Sequence, residues 1–287
     1  MGKDILSRLK DESVRFSKGQ RRIADYILKN YDKAAFMTAG KLGQTVGVSE
    51  STVVRFATEL GYDGYPEMRK KLQEMIRSRL TAVQRIEVAN ETMDEENILS
   101  SVLMADMDKL HTTLTEIDRE SFNAAVDAIA AANHVYIVGM RSSTSLAGFL
   151  GFYLKLLLEN VHIIQDTAQS EVYEQIMRIK EGDVFIGISF PRYSSRAAKA
   201  MSYAKENGAL AIGLTDGIAS PFVGLADILL YAKSDMMSFL DSLVAPMSLI
   251  NALIVAVGAQ NKERVSDTFQ RLEAIWDDYN VYERADS

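Results

Sequence analysis

Apolar side chains follow two rhythms along this chain, and the change between them divides the sequence. Up to about residue 80 they recur every three or four positions: Ile5 and Leu9, then Ile23, Ile27 and Leu28, then Met68, Leu72, Met75 and Ile76. That is the period of amphipathic helices, so an all-α segment is predicted. From His134 onward, short β-branched runs alternate with longer helical stretches. HVYIVG (134–139), VHIIQ (161–165), DVFIGIS (183–189), ALAIGLT (209–215) and DILLYA (227–232) predict five strands. Helices are predicted over 143–159, 168–180 and 194–207, with a long apolar one over 239–259. Alternating units of this kind form a parallel sheet covered by helices on both faces. The expected fold is an all-α domain followed by an α/β domain with a five-stranded parallel sheet flanked by helices.

The expected boundaries are 1–80 for the helical domain, 81–108 for a linker and connecting helix, and 109–287 for the α/β domain. The linker lacks Gly and Pro, and an acidic cluster (Asp94, Glu95, Glu96) marks a polar hinge near 88–96. Ile98, Val102, Leu103, Leu110 and Leu114 then restore a helical period that belongs with the second domain. At the far end, Phe269, Leu272, Ile275, Trp276 and Tyr279 recur at helical spacing.

Composition narrows the chemistry. The 287 residues include no Cys and three His (His111, His134 and His162), no two of them within a helical turn. That excludes disulfides, thiol nucleophiles, thiolate metal sites and HExxH centres. No metal or cofactor is expected. The opening run MGKDILSRLKDESVRFS carries charges throughout and holds no signal-peptide core. The most apolar stretch, 243–259, is interrupted by Pro246, Ser248 and Asn251 and reads as a buried helix. A soluble, cytoplasmic protein with no membrane partner is expected. Its net charge of −7 hides a division, because residues 1–80 hold 16 basic against 10 acidic side chains and the remainder 16 against 29. A basic module on an acidic body is the distribution of a chain whose first domain meets a polyanion.

Residues 38–60, TAGKLGQTVGVSESTVVRFATEL, carry the sharpest local pattern. Leu42 and Val46 share one face of a short helix. Gly47 supplies the left-handed residue that ends it. Val48 plugs the angle, Ser49 caps a second helix with Thr52 at its third position, and Val53, Phe56, Ala57 and Leu60 form the inner face. The spacing fits a helix-turn-helix, although it also fits an ordinary helical hairpin. In the first case the second helix enters the major groove and presents Ser49, Ser51, Thr52, Arg55 and Thr58. Hydroxyls allow close approach to phosphates, and Arg reads guanine or neutralises a phosphate. Glu50 is an awkward neighbour for DNA but favours the helix dipole.

The longer run VSESTVVRFATELGYDGYPEMRKKL resembles the signature of the RpiR-type helix-turn-helix domain, over roughly residues 4–80. The shared features are the Val-Ser pair, Thr-Val-x-Arg-Phe, and the Leu-Gly-Tyr-x-Gly-Tyr segment of Gly61, Tyr62, Gly64 and Tyr65. Gly43 departs from the pattern, standing where such domains usually carry Ala. Its expected effect is a loss of about 1 kcal/mol in helix propensity.

In open parallel sheets, ligands bind beyond the carboxyl ends of the strands near the switch point. Here the first strand ends Gly139-Met-Arg141-Ser142-Ser143-Thr144 and the third Ser189-Phe-Pro-Arg192-Tyr-Ser194, each leading into a helix. The fourth ends Thr215-Asp-Gly217. Two loops with hydroxyls and an Arg at a helix N-terminus favour an anion site. This half resembles the SIS (sugar isomerase) domain over roughly 109–265. The resemblance implies a sugar-phosphate ligand, with Ser142 and Ser143 as the first hydroxyl pair and Ser189 and Ser194 as the outer hydroxyls of the second loop. Arg141 stands where Gly is common, and Pro191 and Arg192 replace a frequent Ser/Thr-Gly.

An isomerase would need a general base. Glu159, Glu171, Glu174, Asp241 and His162 are the candidates, none with an assignable partner, and no catalytic residue is assigned. The expected function is a DNA-binding transcriptional regulator whose SIS domain senses a phosphorylated sugar. The partners implied are a double-stranded operator, the sugar phosphate, and a second copy in a homodimer or dimer of dimers. A sugar-phosphate isomerase or lyase with an accessory helical domain is the alternative, and a protein-binding adaptor a third.

Overall fold

The structure, a computed structural model, describes residues 5–10, 16–76, 81, 83–86, 97–165, 169–236 and 239–282. The hinge expected near 88–96 lies outside the described residues. The chain divides into two compact units, one of residues 1–101 with 236–240 and one of 102–235 with 241–287.

The first unit is helical: α1 Ile5–Lys10, α2 Lys18–Lys29, α3 Tyr31–Ala34, α4 Ala39–Val46, α5 Glu50–Glu59 and α6 Tyr65–Ile76. A capping box starts α2, with Ser17 and Gln20 satisfying each other's backbone N–H groups. Its core is built from the periodic positions, with Ile23, Ile27, Leu42, Val53, Phe56, Met68 and Leu72 all buried. Gly47 ends α4 at φ 70°, and Ser49 caps α5 by accepting the Thr52 N–H. Gly43 has a reason to be Gly that propensity misses. A Cβ there would lie 2.8 Å from the Val48 carbonyl oxygen, so its absence lets α4 close against the turn.

Helix α7 Ile98–Glu116 spans the division after Ser101, and α8 Arg119–Ala131 follows in the second unit. Five strands follow, β1 Val135–Gly139, β2 Val161–Ile164, β3 Val184–Ile188, β4 Leu210–Thr215 and β5 Ile228–Tyr231. The intervening helices are α9 Ser143–Leu157, α10 Gln169–Ile176 and α11 Ser195–Glu206, and α12 Val244–Gln260 and α13 Lys262–Asp278 close the chain. The sheet is parallel throughout in the order β2-β1-β3-β4-β5. Helices α8, α9 and α12 pack on one face, α10 and α11 on the other. No single described helix is long and apolar enough to cross a membrane.

Three expectations need correction. The long apolar helix begins at Val244 rather than 239, because Pro246 fits only a first helical turn. The helix after β2 ends at Ile176, since Ile179 turns back into the core. The connecting helix forms, but Ile98, Leu103 and Leu114 are exposed and its buried side chains are Lys109 and Thr113.

Two predictions follow from this packing. For Gly43→Ala, overpacking against a backbone carbonyl, typically about 1–3 kcal/mol, should outweigh the roughly 1 kcal/mol gained in propensity. Hydrogen exchange across 39–59 should quicken, and slower exchange would show that propensity governs. The second prediction concerns acid. His134 Nδ1 and His162 Nε2 are 3.1 Å apart, and the His162 ring stacks on Tyr136 at 4.7 Å. Burial, then His134 and Lys155, hold the His162 imidazole below its ordinary value, with Asp183 opposing. The unfolded chain therefore takes up this proton more readily, and the associated stability is present above about pH 6.5 and lost below it. Thermal melts should drop on acidification through that window, and His162→Gln should flatten the drop.

Candidate functional site

Helix α5 is fixed from below by Val53, Phe56 and Ala57, which leaves its opposite face to solvent. Ser51, Arg55 and Thr58 are exposed along it. Ser49 is also exposed, but its hydroxyl is engaged at the cap, 2.9 Å from Ser51 Oγ and 2.8 Å from Thr52 Oγ1. Thr52 is half-buried, and Thr58 Oγ1 donates back to the Val54 carbonyl at 3.2 Å. Sequence reasoning passed over Val54, which is 39% exposed between Ser51 and Arg55. Its signal was available, because Val54 lies one residue past Val53 and off the 53/56/57/60 face that the spacing turns inward.

The segment after α5 holds the motif rigid. Gly61 and Gly64 take φ of 86° and 126°, conformations that favour glycine. The buried Tyr65 hydroxyl donates to the Met37 carbonyl at 2.9 Å, tying α6 to the segment just before α4. Burial pushes its phenol up to about 12 against the opposing charge of Arg69.

The second cluster lies where β1 and β3, adjacent in the sheet, reach their carboxyl ends. Gly139 lets α9 start directly above the strand, since a Cβ there would collide with the Ser143 carbonyl. Thr144 Oγ1 donates to the Gly139 carbonyl at 2.9 Å. Arg141, at φ 58°, and Ser142 are exposed, and Ser143 is buried. No side chain caps α9. In the β3 loop, Ser189 is buried and accepts the Ser194 N–H at 3.0 Å, while Ser194 caps α11 by accepting from Ala197 N at 3.3 Å. Arg192 is exposed. The structure therefore brings Gly139, Arg141, Ser142, Ser143, Ser189, Arg192 and Ser194 to the ends of two neighbouring strands. It adds a link that spacing did not reveal, as Tyr193 OH donates to Asp216 Oδ1 at 2.8 Å and joins the β3 and β4 loops.

The candidate bases fall on different elements, with Asp241 half-buried just before α12. Glu159 precedes β2 at the opposite end of the sheet and pairs with Arg264 at 3.0 Å. His162 is on the amino-terminal half of β2 beside His134. Glu171 and Glu174 are exposed on α10.

Residues 3–79 match the helix-turn-helix domain of the rpiR family, and residues 128–256 match the SIS domain. The chain is 28% identical over 265 residues to the HTH-type transcriptional regulator HexR of Pseudomonas aeruginosa, covering 89% of each. Among solved structures, it resembles the sugar isomerase domain of an RpiR transcription factor from Sphaerobacter thermophilus. That likeness has 28% identity and a TM-score of 0.58, and covers 61% of this chain and 97% of that one. It also shares the fold of the Vibrio vulnificus NanR protein, solved with ManNAc-6P, at 23% identity and a TM-score of 0.60 over 98% of this chain and all of that one.

Proposed function

The chain belongs to the RpiR-type transcriptional regulators, an rpiR helix-turn-helix domain followed by an SIS domain, and from that premise we propose that it binds operator DNA through α5 and senses a phosphorylated sugar at the ends of β1 and β3. Ligand occupancy then modulates operator binding. The observation that carries the sensor half is the start of α9, where Ser142 and Ser143 stand at a helix N-terminus without a side-chain cap. The Ser143 and Thr144 N–H groups already donate to the Met140 and Arg141 carbonyls, so it is the serine hydroxyls and the positive end of the helix that are complementary to a phosphate. Ser189 and Ser194 each accept one N–H, which leaves their hydroxyl protons to donate to the same anion. Arg141 and Arg192 add positive charge at the rim. NanR, of the same fold, was solved with a sugar phosphate, which is consistent with that ligand class.

On the DNA side, Ser51, Arg55 and Thr58 meet the groove, with Ser49 and Thr52 ordering the helix start beside the phosphates. Val54 offers an apolar contact suited to a thymine methyl. A single reading head covers a short half-site, so we assign a homodimer or dimer of dimers. Phe152 on α9 and Val255 on α12, 60% and 71% exposed, mark the surface through which the copies meet. We assign no catalytic role: Glu159 and His162 lie at the opposite end of the sheet from the anion loops, Glu171 and Glu174 are exposed on α10, and Asp241 lies before α12.

Fluorescence anisotropy on an operator selected from random duplexes, with and without a panel of sugar phosphates, tests the whole reading. A panel in which no member changes operator affinity overturns it. Arg55→Ala should cost about 1–3 kcal/mol of specific affinity, and an unchanged affinity and salt slope would misplace the recognition helix. The double variant Ser142→Ala, Ser143→Ala should weaken sugar-phosphate binding by about 1.5–3 kcal/mol per hydrogen bond lost to the charged group. DNA binding without ligand should be unchanged. Calorimetry showing undiminished ligand affinity would remove the β1 loop from the site.

A further inference from the structure

Helix α7 is seated on the second unit by the opposite of ordinary amphipathic packing. Its buried side chains, Lys109 and Thr113, are both polar, while Leu103, Met104, Met107 and Leu114 face solvent. What holds it is a polar seam with the segment after β5. Lys233 N donates to Thr113 Oγ1 at 2.9 Å, and Lys233 Nζ meets Glu116 Oε2 at 2.6 Å. Ser242 Oγ donates to Asp106 Oδ1 at 2.6 Å. Lys109 Nζ donates to the Ala105 carbonyl at 3.1 Å and lies 3.6 Å from Asp106 Oδ1. Such a seam adds little net stability, because each group exchanges water for a protein partner. It is nonetheless particular about register, because a buried polar group left unpaired is costly.

The seam is continuous with the ligand end of the sheet. Tyr193 OH, in the β3 loop, donates to Asp216 Oδ1 at 2.8 Å. The neighbouring Thr215 carbonyl accepts from Ala232 N at 2.8 Å. Lys233 follows Ala232, and its N–H reaches Thr113 on α7. Three hydrogen bonds and two peptide links thus join the β3 loop to α7, all within one compact unit. The division between the two units falls inside α7, after Ser101, so this helix is where the chain passes from one to the other.

We propose that this line carries the occupancy of the serine loops to the connecting helix. An anion drawn into the β3 loop displaces Tyr193 and Asp216, and the seat of α7 shifts with them. A seat set by paired polar groups changes by exchanging one pairing for another rather than by sliding continuously, which is what a two-state element needs. The inference rests on the anion-site reading above and supplies its means of regulation.

The test uses the full chain, with inorganic phosphate and glucose 6-phosphate as probes, read by calorimetry and by backbone hydrogen exchange. In the unaltered chain a saturating probe should change exchange in 139–145, in 189–197 and in 102–116, the last by at least about fivefold, the lower end of ordinary allosteric coupling. In Thr113→Val, probe affinity and the loop responses should persist while the α7 response falls below about twofold. Thr113→Ser, which keeps the hydroxyl, should retain that response. Ser242→Ala breaks the seam at a second point and should give the same loss, so a folding defect in one variant does not decide the matter. An undiminished α7 response in the folded variants, or loop changes without any α7 response in the unaltered chain, overturns the route and leaves the anion site standing. Absence of both binding heat and loop response with either probe removes the site, and the route with it.

Discussion

Strand β1 lies between β2 and β3, so the chain leaves β1 over one face of the sheet and leaves β3 over the other. That ordering constrains the rest of the second unit. Helices α9 and α11 diverge at the shared carboxyl end, and in open parallel sheets the crevice between such helix starts is where ligands bind. Both strands are fully buried, so the backbone at their ends cannot shift to suit a ligand. The polar groups must come from the loops. Gly139 brings the first turn of α9 down onto β1, and Ser189 N donates to the Leu214 carbonyl, pinning the β3 loop to β4.

Much of this was legible beforehand because it depends on local chemistry. A β-branched run bounded by Gly or Ser becomes a strand in almost any parallel sheet, and all five were placed. Gly47 and Ser49 carry their conformations with them, which is why the turn could be read at single-residue resolution. What escaped depends on partners distant in sequence. Helix α8 was not singled out, although Ala125, Val126 and Ile129 are buried where it packs against β5 and α12. The Tyr193–Asp216 contact spans loops that only the sheet order makes neighbours. The inverted seat of α7 was least legible, because its leucines announce an inner face that the fold assigns to Lys109 and Thr113. Gly43 looked like a weakness for a related reason: propensity is a property of the helix alone, while the Val48 carbonyl belongs to its surroundings.

The hydroxyls of the two units share a feature. Ser49 and Ser194 are both N-caps, and Ser189 secures a neighbouring backbone N–H. Ser49 and Ser194 each lie at the start of a helix, so in the proposed sites the groups that order the local backbone are also the ones offered to a phosphate. Structural and recognition roles need not compete at such positions. A hydroxyl accepts with its oxygen and donates with its proton, and the two directions can serve different partners.

The contact between Gly43 and the Val48 carbonyl has a mechanical meaning. Backbone meeting backbone leaves no side chain to rotate at this point, which stiffens the angle between α4 and α5. With Tyr65 bolting α6 to Met37, the reading head behaves as a rigid tool rather than an adaptable surface. Fitting it to a groove of different width then falls to the DNA, through bending and twisting, or to chain outside residues 39–65. Variation in what such a head recognises must accordingly come from exchanging the side chains it carries, not from reshaping the head.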